Sequence, residues 1–172
     1  MSVFLIGYLG SGKSTVGRRL ADRLWQKFFD SDELVVRQAG ITIREIFERE
    51  GEQGFRDRES LVVRELAALP DDHVVALGGG AVLREENRLA LRDGSHKVIY
   101  LRCEPAELHR RIHADPQTVA TRPALTALGG SQAEIERMLG EREPVYRSCM
   151  TAELDVTNLT AEEATTYIAR LL

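Results

Sequence analysis

The sequence predicts an α/β fold: a doubly wound, mostly parallel sheet with helices on both faces. Two observations carry this. Short apolar runs alternate five times with segments of helical spacing, the order that βαβ crossovers produce. The runs are also almost wholly apolar, as strands covered on both sides must be.

Val3–Ile6 opens the chain as the first strand. Lys13–Gln26 has helical spacing, with Val16, Leu20 and Leu24 on one side. Lys27–Phe29 is a second strand that ends at Asp30, and residues 33–38 and 42–50 read as short helices. Phe55–Leu69 is a longer helix stopped by Pro70. His73–Leu77 is a strand that runs into Gly78-Gly79-Gly80. Glu85–Arg92 is helical with Gly94 as its stop, Lys97–Leu101 is a strand, and Pro105–His113 is a helix opened by proline in its first turn. Residues 114–130 are polar, marked by proline and glycine, and read as a loop. Gln132–Arg147 and Ala161–Leu171 are helical, with strand Glu153–Val156 between them. No repeat and no linker divides the chain, so residues 1–172 are expected to form one domain.

Composition narrows the function. A net charge of −4 argues against bulk binding to nucleic acid phosphates. No apolar run approaches the about 20 residues of a membrane span, and a strand beginning at residue 3 leaves no room for a signal peptide. Cys103 and Cys149 lie far apart with no metal or redox spacing. A cytoplasmic protein, away from membranes and nucleic acid, is expected. Arginine outnumbers lysine 20 to 3. Most of these arginines fall on helix faces, so the excess as a whole reads as coding bias, although the forked head also suits phosphate and carboxylate.

Behind the first strand stands Gly7-Tyr8-Leu9-Gly10-Ser11-Gly12-Lys13-Ser14, the spacing G-x-x-x-x-G-K-[ST]. It follows a strand and opens a helix, the context this phosphate-binding motif requires. Glycines let backbone N–H groups turn inward around an anion, and the helix N-terminus adds unsatisfied donors. Lys13 is placed to reach the β- and γ-phosphates of a nucleotide, and Ser14 to hold Mg²⁺. Gly10, Ser11, Gly12 and Thr15 complete the cradle.

The other strand ends narrow the acceptor. Asp30 and Asp32 lie two apart at the carboxyl end of the second strand, where open α/β sheets hold ligands. The competing reading makes Asp32 the N-cap of the helix that follows. Arg56, in "GEQGFRDRE", sits beside an aromatic at the start of a helix, where a cation opposes the dipole. That points to a ligand, most naturally a carboxylate in a bidentate fork. Three glycines directly after the third strand, in "ALGGGAV", let backbone come close to something bound.

The set G-x-x-G-x-G-K-S, D-x-D, G-E-x-x-F-R-x-x-E, G-G-G-A, R-P and R-x-P-x-Y-R, in this order from Phe4 to the final helix, resembles the shikimate kinase family. The resemblance implies a three-layer α/β/α P-loop kinase fold with a five-stranded parallel sheet in order 2-3-1-4-5. It also implies a mobile lid at about 114–130 and a shikimate-binding helical region at about 33–60. The implied reaction is ATP-dependent phosphorylation of the 3-hydroxyl of shikimate with Mg²⁺, in aromatic amino-acid biosynthesis. Carried over by position, Asp30 would reach Mg²⁺ through water. Asp32 would accept hydrogen bonds from the shikimate hydroxyls and take the proton of the attacking one. Arg56 and Arg142 would hold the shikimate carboxylate. Gly78, Gly79 and Gly80 would line the ring, with Ile43, Phe47 and Phe55 as apolar neighbours and Glu59 as a support behind them. Arg122, in "TRPAL", would swing onto the transferring phosphates, and Arg111, in "HRRI", would stack on adenine, with Arg110 as the alternative.

The chain departs from the family pattern in a longer loop between Arg111 and Arg122, in "RPAL" for R-P-L-L, and in Ala161 where a proline is common near adenine. These changes bear on lid timing and adenine contacts. Three other readings compete. A related kinase of gluconate type would lose the pair Arg56 and Arg142. A regulator that has lost transfer would lack Asp32 or the lid arginine. A motor subunit would want a Mg²⁺-binding Asp at the end of an apolar strand, which neither His73–Leu77 nor Lys97–Leu101 has, and a larger chain.

Overall fold

The computed structural model describes residues 1–92, 96–115 and 130–172. Five parallel strands, β1 (Val3–Ile6), β2 (Lys27–Asp30), β3 (His73–Ala76), β4 (Lys97–Arg102) and β5 (Ala152–Asp155), form one sheet in the order β2-β3-β1-β4-β5. Seven α-helices are described: α1 (Lys13–Leu24), α2 (Ser31–Ala39), α3 (Ile43–Ala67), α4 (Glu85–Arg92), α5 (Pro105–Ala114), α6 (Gln132–Cys149) and α7 (Ala161–Leu171). The predicted order 2-3-1-4-5 is the one observed. β1 lies at the centre, paired with β3 on one side (Phe4 beside Val75) and β4 on the other (Phe4 beside Val98). Its carboxyl end is therefore the point where the sheet turns outward both ways, and there an α/β sheet opens a crevice.

The core lies on both faces of the three inner strands. β1 and β3 are buried at every position, and Val98, Ile99, Tyr100 and Leu101 of β4 join them. The outer strands behave differently. β2 is only half-buried, and β5 alternates between half-buried and exposed. The expectation that all five runs are covered on both sides thus holds for the inner three and is corrected for the two edges. An edge strand has a neighbour on one side only, so its outer rim meets solvent. Gly17 lets α1 approach the sheet: a Cβ there would lie 2.6 Å from the Phe28 ring.

Several boundaries move for local reasons. The first helix ends at Leu24 rather than Gln26, with Trp25 in the left-handed region at φ 57°. α2 begins at Ser31 because Asp30 caps it, its carboxylate accepting from Asp32 N and Glu33 N. The two helices expected at 42–50 and 55–69 form a single element broken at Gly51, whose φ of 71° interrupts the turn without opening a loop. Thr42 and Glu45 start it with a reciprocal capping box. Thr160 and Glu163 do the same for α7, placing Ala161 at the first helical position, where proline is also well tolerated. The final strand is Ala152–Asp155 instead of 153–156, and α6 continues to Cys149 through Pro144. Most of the loop expected at 114–130 lies outside the described residues.

Candidate active site

The loop between β1 and α1 has φ angles of 145°, 82° and 90° at Gly7, Gly10 and Gly12. Side chains rarely adopt these conformations, and close packing adds a second constraint. A Cβ on Gly7 would lie 2.6 Å from the Leu101 carbonyl oxygen, and one on Gly10 would lie 2.9 Å from Ile112 of α5. The loop is thereby wedged between β4 and α5. α1 starts at Gly12 without a side-chain cap and without an acidic residue in its first turn. Its opening N–H groups and positive dipole end face the loop, the physical basis for holding an anion. Lys13 Nζ donates to the carbonyls of Gly7 (2.9 Å) and Tyr8 (2.8 Å), which fixes the ammonium at the loop. Thr15, one residue further, is exposed.

Asp30 closes β2 and uses its two oxygens differently. Oδ1 accepts from Asp32 N at 3.0 Å and Glu33 N at 3.4 Å, and Oδ2 accepts from Ser14 Oγ at 2.6 Å. The N-cap considered for Asp32 thus belongs to Asp30, and Asp32 sits in the first turn of α2. The pair Ser14–Asp30 suits a hydrated divalent cation: two hard oxygens side by side next to the anion cradle, the remaining ligands being phosphate and water. No cluster of three or more His, Cys, Asp or Glu side chains suited to a metal occurs among the described residues.

Across from the loop, Gly78–Gly80 extend β3. Gly78 N donates to Ser31 Oγ at 2.9 Å, tying this turn to the start of α2. A Cβ on Gly78 would lie 2.7 Å from both Asp32 Oδ1 and Glu59 Oε1, and one on Gly80 would lie 2.6 Å from Arg56 Nη1. The bare backbone is what allows two carboxylates and a guanidinium to converge on this turn. Asp32 and Arg56 are each 9% exposed. Arg56 lies past the Gly51 break and inside α3, so the expected opposition to a helix dipole is not what marks it. Glu59 fixes it instead, accepting from Nη1 at 2.6 Å with its own side chain almost fully buried. Burial pushes the Glu59 carboxyl up, and Arg56 pulls it back down. Phe55 stacks at 5.0 Å from Phe47, and the Arg56 guanidinium lies over the Phe55 ring. Phe47 and Ile43 pack on the core from the first half of α3.

Arg142, on α6, is also buried, its guanidinium 5.5 Å from the centre of the Tyr8 ring. Two buried forked cations, the short acceptor Asp32 and the glycine turn have the chemistry to recognise a small acid bearing hydroxyls. Arg111 donates to Glu107 and to the carbonyls of Val156 and Thr157 at 2.9 and 3.3 Å, so it bridges α5 to the segment after β5. Arg110 lies further out, paired with Glu107 through both carboxylate oxygens. Their two arginines hold the Glu107 carboxyl down at about 2. Arg122 lies outside the described residues.

Three further residues hold this site together. Ser31 gives no signal beyond its place between the two aspartates. Tyr8 is one of the unconstrained positions of the phosphate motif, and Tyr146 stands one helical turn after Arg142, a spacing that puts both on one helix face.

The family model for shikimate kinase matches residues 9–172. A shikimate kinase of Neisseria meningitidis is 40% identical over 171 residues, covering 99% of this chain and 95% of the relative. One from Thermobifida fusca is 43% identical over 169 residues, covering 98% and 92%. The solved shikimate kinase of Acinetobacter baumannii in complex with shikimate superimposes with a TM-score of 0.90 at 35% identity, covering 99% of this chain and 91% of that one. That of Aquifex aeolicus gives 0.80 at 29% identity, covering 99% and 95%. With the phosphate loop, the parallel sheet and matches along almost its entire length, the chain belongs to the shikimate kinase family.

Proposed function

We propose that this protein transfers the γ-phosphoryl group of ATP to the 3-hydroxyl of shikimate, giving shikimate 3-phosphate and ADP on the route to aromatic amino acids. The carrying observation is the convergence of buried Asp32 and Arg56 on the Gly78–Gly80 turn, with a second buried guanidinium, Arg142, over the Tyr8 ring of the phosphate loop. The guanidiniums grip the carboxylate and so orient the ring. Asp32 accepts the proton of the attacking hydroxyl as its oxygen bonds to phosphorus and the bond to the ADP oxygen breaks. The amides of Gly10–Thr15 and the Lys13 ammonium hold the phosphates and balance the charge that develops on them. Ser14 and Asp30 would hold Mg²⁺, which neutralises phosphate charge when bound. The setting is the cytoplasm, and the active form a monomer; no described helix is long and apolar enough to cross a membrane.

A coupled assay of ADP release with shikimate, quinate and gluconate in parallel tests the reaction. Shikimate is expected to give the highest kcat/KM by at least about thirtyfold, because removing or adding a buried hydroxyl partner costs about 2 kcal/mol or more. Preference for gluconate would overturn the reading.

The two arginines of α5 separate cleanly. Arg111 faces inward and bridges to the segment after β5, and we assign it to adenine stacking; Arg110 is 68% exposed. Arg111→Ala is expected to raise the KM for ATP about tenfold, and Arg110→Ala to leave it within twofold, since stacking of a guanidinium on an aromatic contributes about 1–2 kcal/mol. The reverse pattern in steady-state kinetics reassigns the base site. Arg122 is proposed to act on the transferring phosphates. Arg122→Ala is expected to lower kcat about a hundredfold or more with the shikimate KM unchanged; a change confined to shikimate KM argues against that role.

A further inference from the structure

We propose that Tyr146 is a positioning residue that sets the spacing of the two-arginine clamp. It touches both arms of the clamp's support. Its side chain is fully buried, and its hydroxyl donates to the Gly79 carbonyl at 2.6 Å. Gly79 is the middle of the turn whose next residue, Gly80, abuts the Arg56 guanidinium. At its other end, Tyr146 follows Arg142 by one turn of α6, and its ring stacks on Tyr100 of β4 at 5.0 Å. Tyr100 in turn donates to Glu143 Oε1 at 3.2 Å. α6 is thereby pinned to the central sheet by rings and to the glycine turn by one hydroxyl. The distance from Arg142 to Arg56 is fixed through that hydroxyl.

Burial pushes the Tyr146 phenol up to about 12, with Arg142 pulling the other way. It therefore stays a neutral donor throughout the working pH range, and its bond to Gly79 does not switch. Tyr8 closes the other flank. Its ring lies beneath the Arg142 guanidinium, its hydroxyl donates to Met138 Sδ at 3.7 Å, and its carbonyl receives Lys13. Arg142 is thus confined between a ring from the phosphate loop and a tyrosine of its own helix. A fork held at a set distance from its partner loses less freedom when it grips a planar carboxylate, and that gain lies in binding rather than in the chemical step.

The inference rests on the assignment of Arg56 and Arg142 to the shikimate carboxylate, and the test separates the two. Tyr146→Phe removes only the hydroxyl. It is expected to raise the shikimate KM about five- to tenfold, the effect of one buried hydrogen bond, with kcat and the ATP KM within twofold. In an Arg142→Ala background the same change is expected to leave kcat/KM for shikimate unaltered, because the group it positions is gone. Tyr100→Phe, which removes a hydroxyl from the same ring stack without touching Gly79, is expected to leave the shikimate KM unchanged. An unchanged KM in Tyr146→Phe overturns the inference. So does a full effect that persists beside Arg142→Ala, or an equal rise in the ATP KM. If Arg142→Ala alone leaves the shikimate KM at the wild-type value, the carboxylate assignment fails first and the clamp with it.

Discussion

Asp32→Asn is expected to lower kcat by about two to three orders of magnitude while ATP affinity stays within twofold. The substitution is isosteric and keeps an acceptor oxygen, so the Gly78 turn still closes on it and shikimate is still placed. What it loses is the capacity to take a proton as the hydroxyl attacks, an effect of about 10²–10⁴ for a positioned base. Asp32 lies beside the glycine turn with its Oδ1 in the same gap as Glu59 Oε1. The negative charge of Asp32 is among the causes that push the Glu59 carboxyl up. Removing the Asp32 charge relieves that repulsion, so the variant is expected to melt no lower than the wild type. Steady-state kinetics, calorimetric titration with a non-hydrolysable ATP analogue and a melting curve check the three parts. A kcat within fivefold of wild type would remove Asp32 from the chemistry.

Much of this site was legible because motifs report backbone constraints. The spacing from Gly7 to Ser14 fixes a loop geometry that only glycines meet, and the run Gly78–Gly80 announces close approach, here by Asp32, Glu59 and Arg56. The sheet was legible from its inner strands, whose apolar positions are all buried. Edge strands and helix joints were harder. Whether a break such as Gly51 opens a loop or merely kinks a helix depends on packing that sequence spacing does not encode. Asp30 and Asp32 show the same limit. Either can cap a helix by pattern, and only the register of β2 against Ala76 of β3 sends one to the cap and the other to the turn. Arg56 was singled out for a helix-dipole reason that the fold does not bear out, yet the aromatic beside it and the glutamate three residues on were the true context. Tyr146 stands in the motif R-x-P-x-Y-R, yet its role is not legible there, because its partner is a backbone carbonyl 67 residues away.

Arg56→Ala is expected to act on binding and on stability at once, and the two can be pulled apart. Loss of a buried fork facing a carboxylate costs about 2–5 kcal/mol, so the shikimate KM is expected to rise by at least about thirtyfold. The same change strips Glu59 of the guanidinium that meets its Oε2 at 2.6 Å. A buried ion pair broken on one side destabilises by about 3–5 kcal/mol, which for a chain of this size lowers Tm by about 10 °C. Glu59 already binds its proton more tightly folded than unfolded, since burial outweighs Arg56. Its contribution to stability is therefore fully present below the ordinary glutamate value and is lost as pH rises through the raised folded value. Without Arg56 the folded value climbs further and the loss grows. The Tm of Arg56→Ala is expected to fall more steeply than wild type as pH is raised from 5 to 8. Adding Glu59→Gln removes the titrating group: the double variant is expected to regain most of the lost Tm and to lose the pH slope, with the shikimate KM still high. Melting curves across that pH range, paired with steady-state kinetics, read both effects. A double variant that recovers shikimate affinity together with Tm would mean that Arg56 serves the fold rather than the ligand.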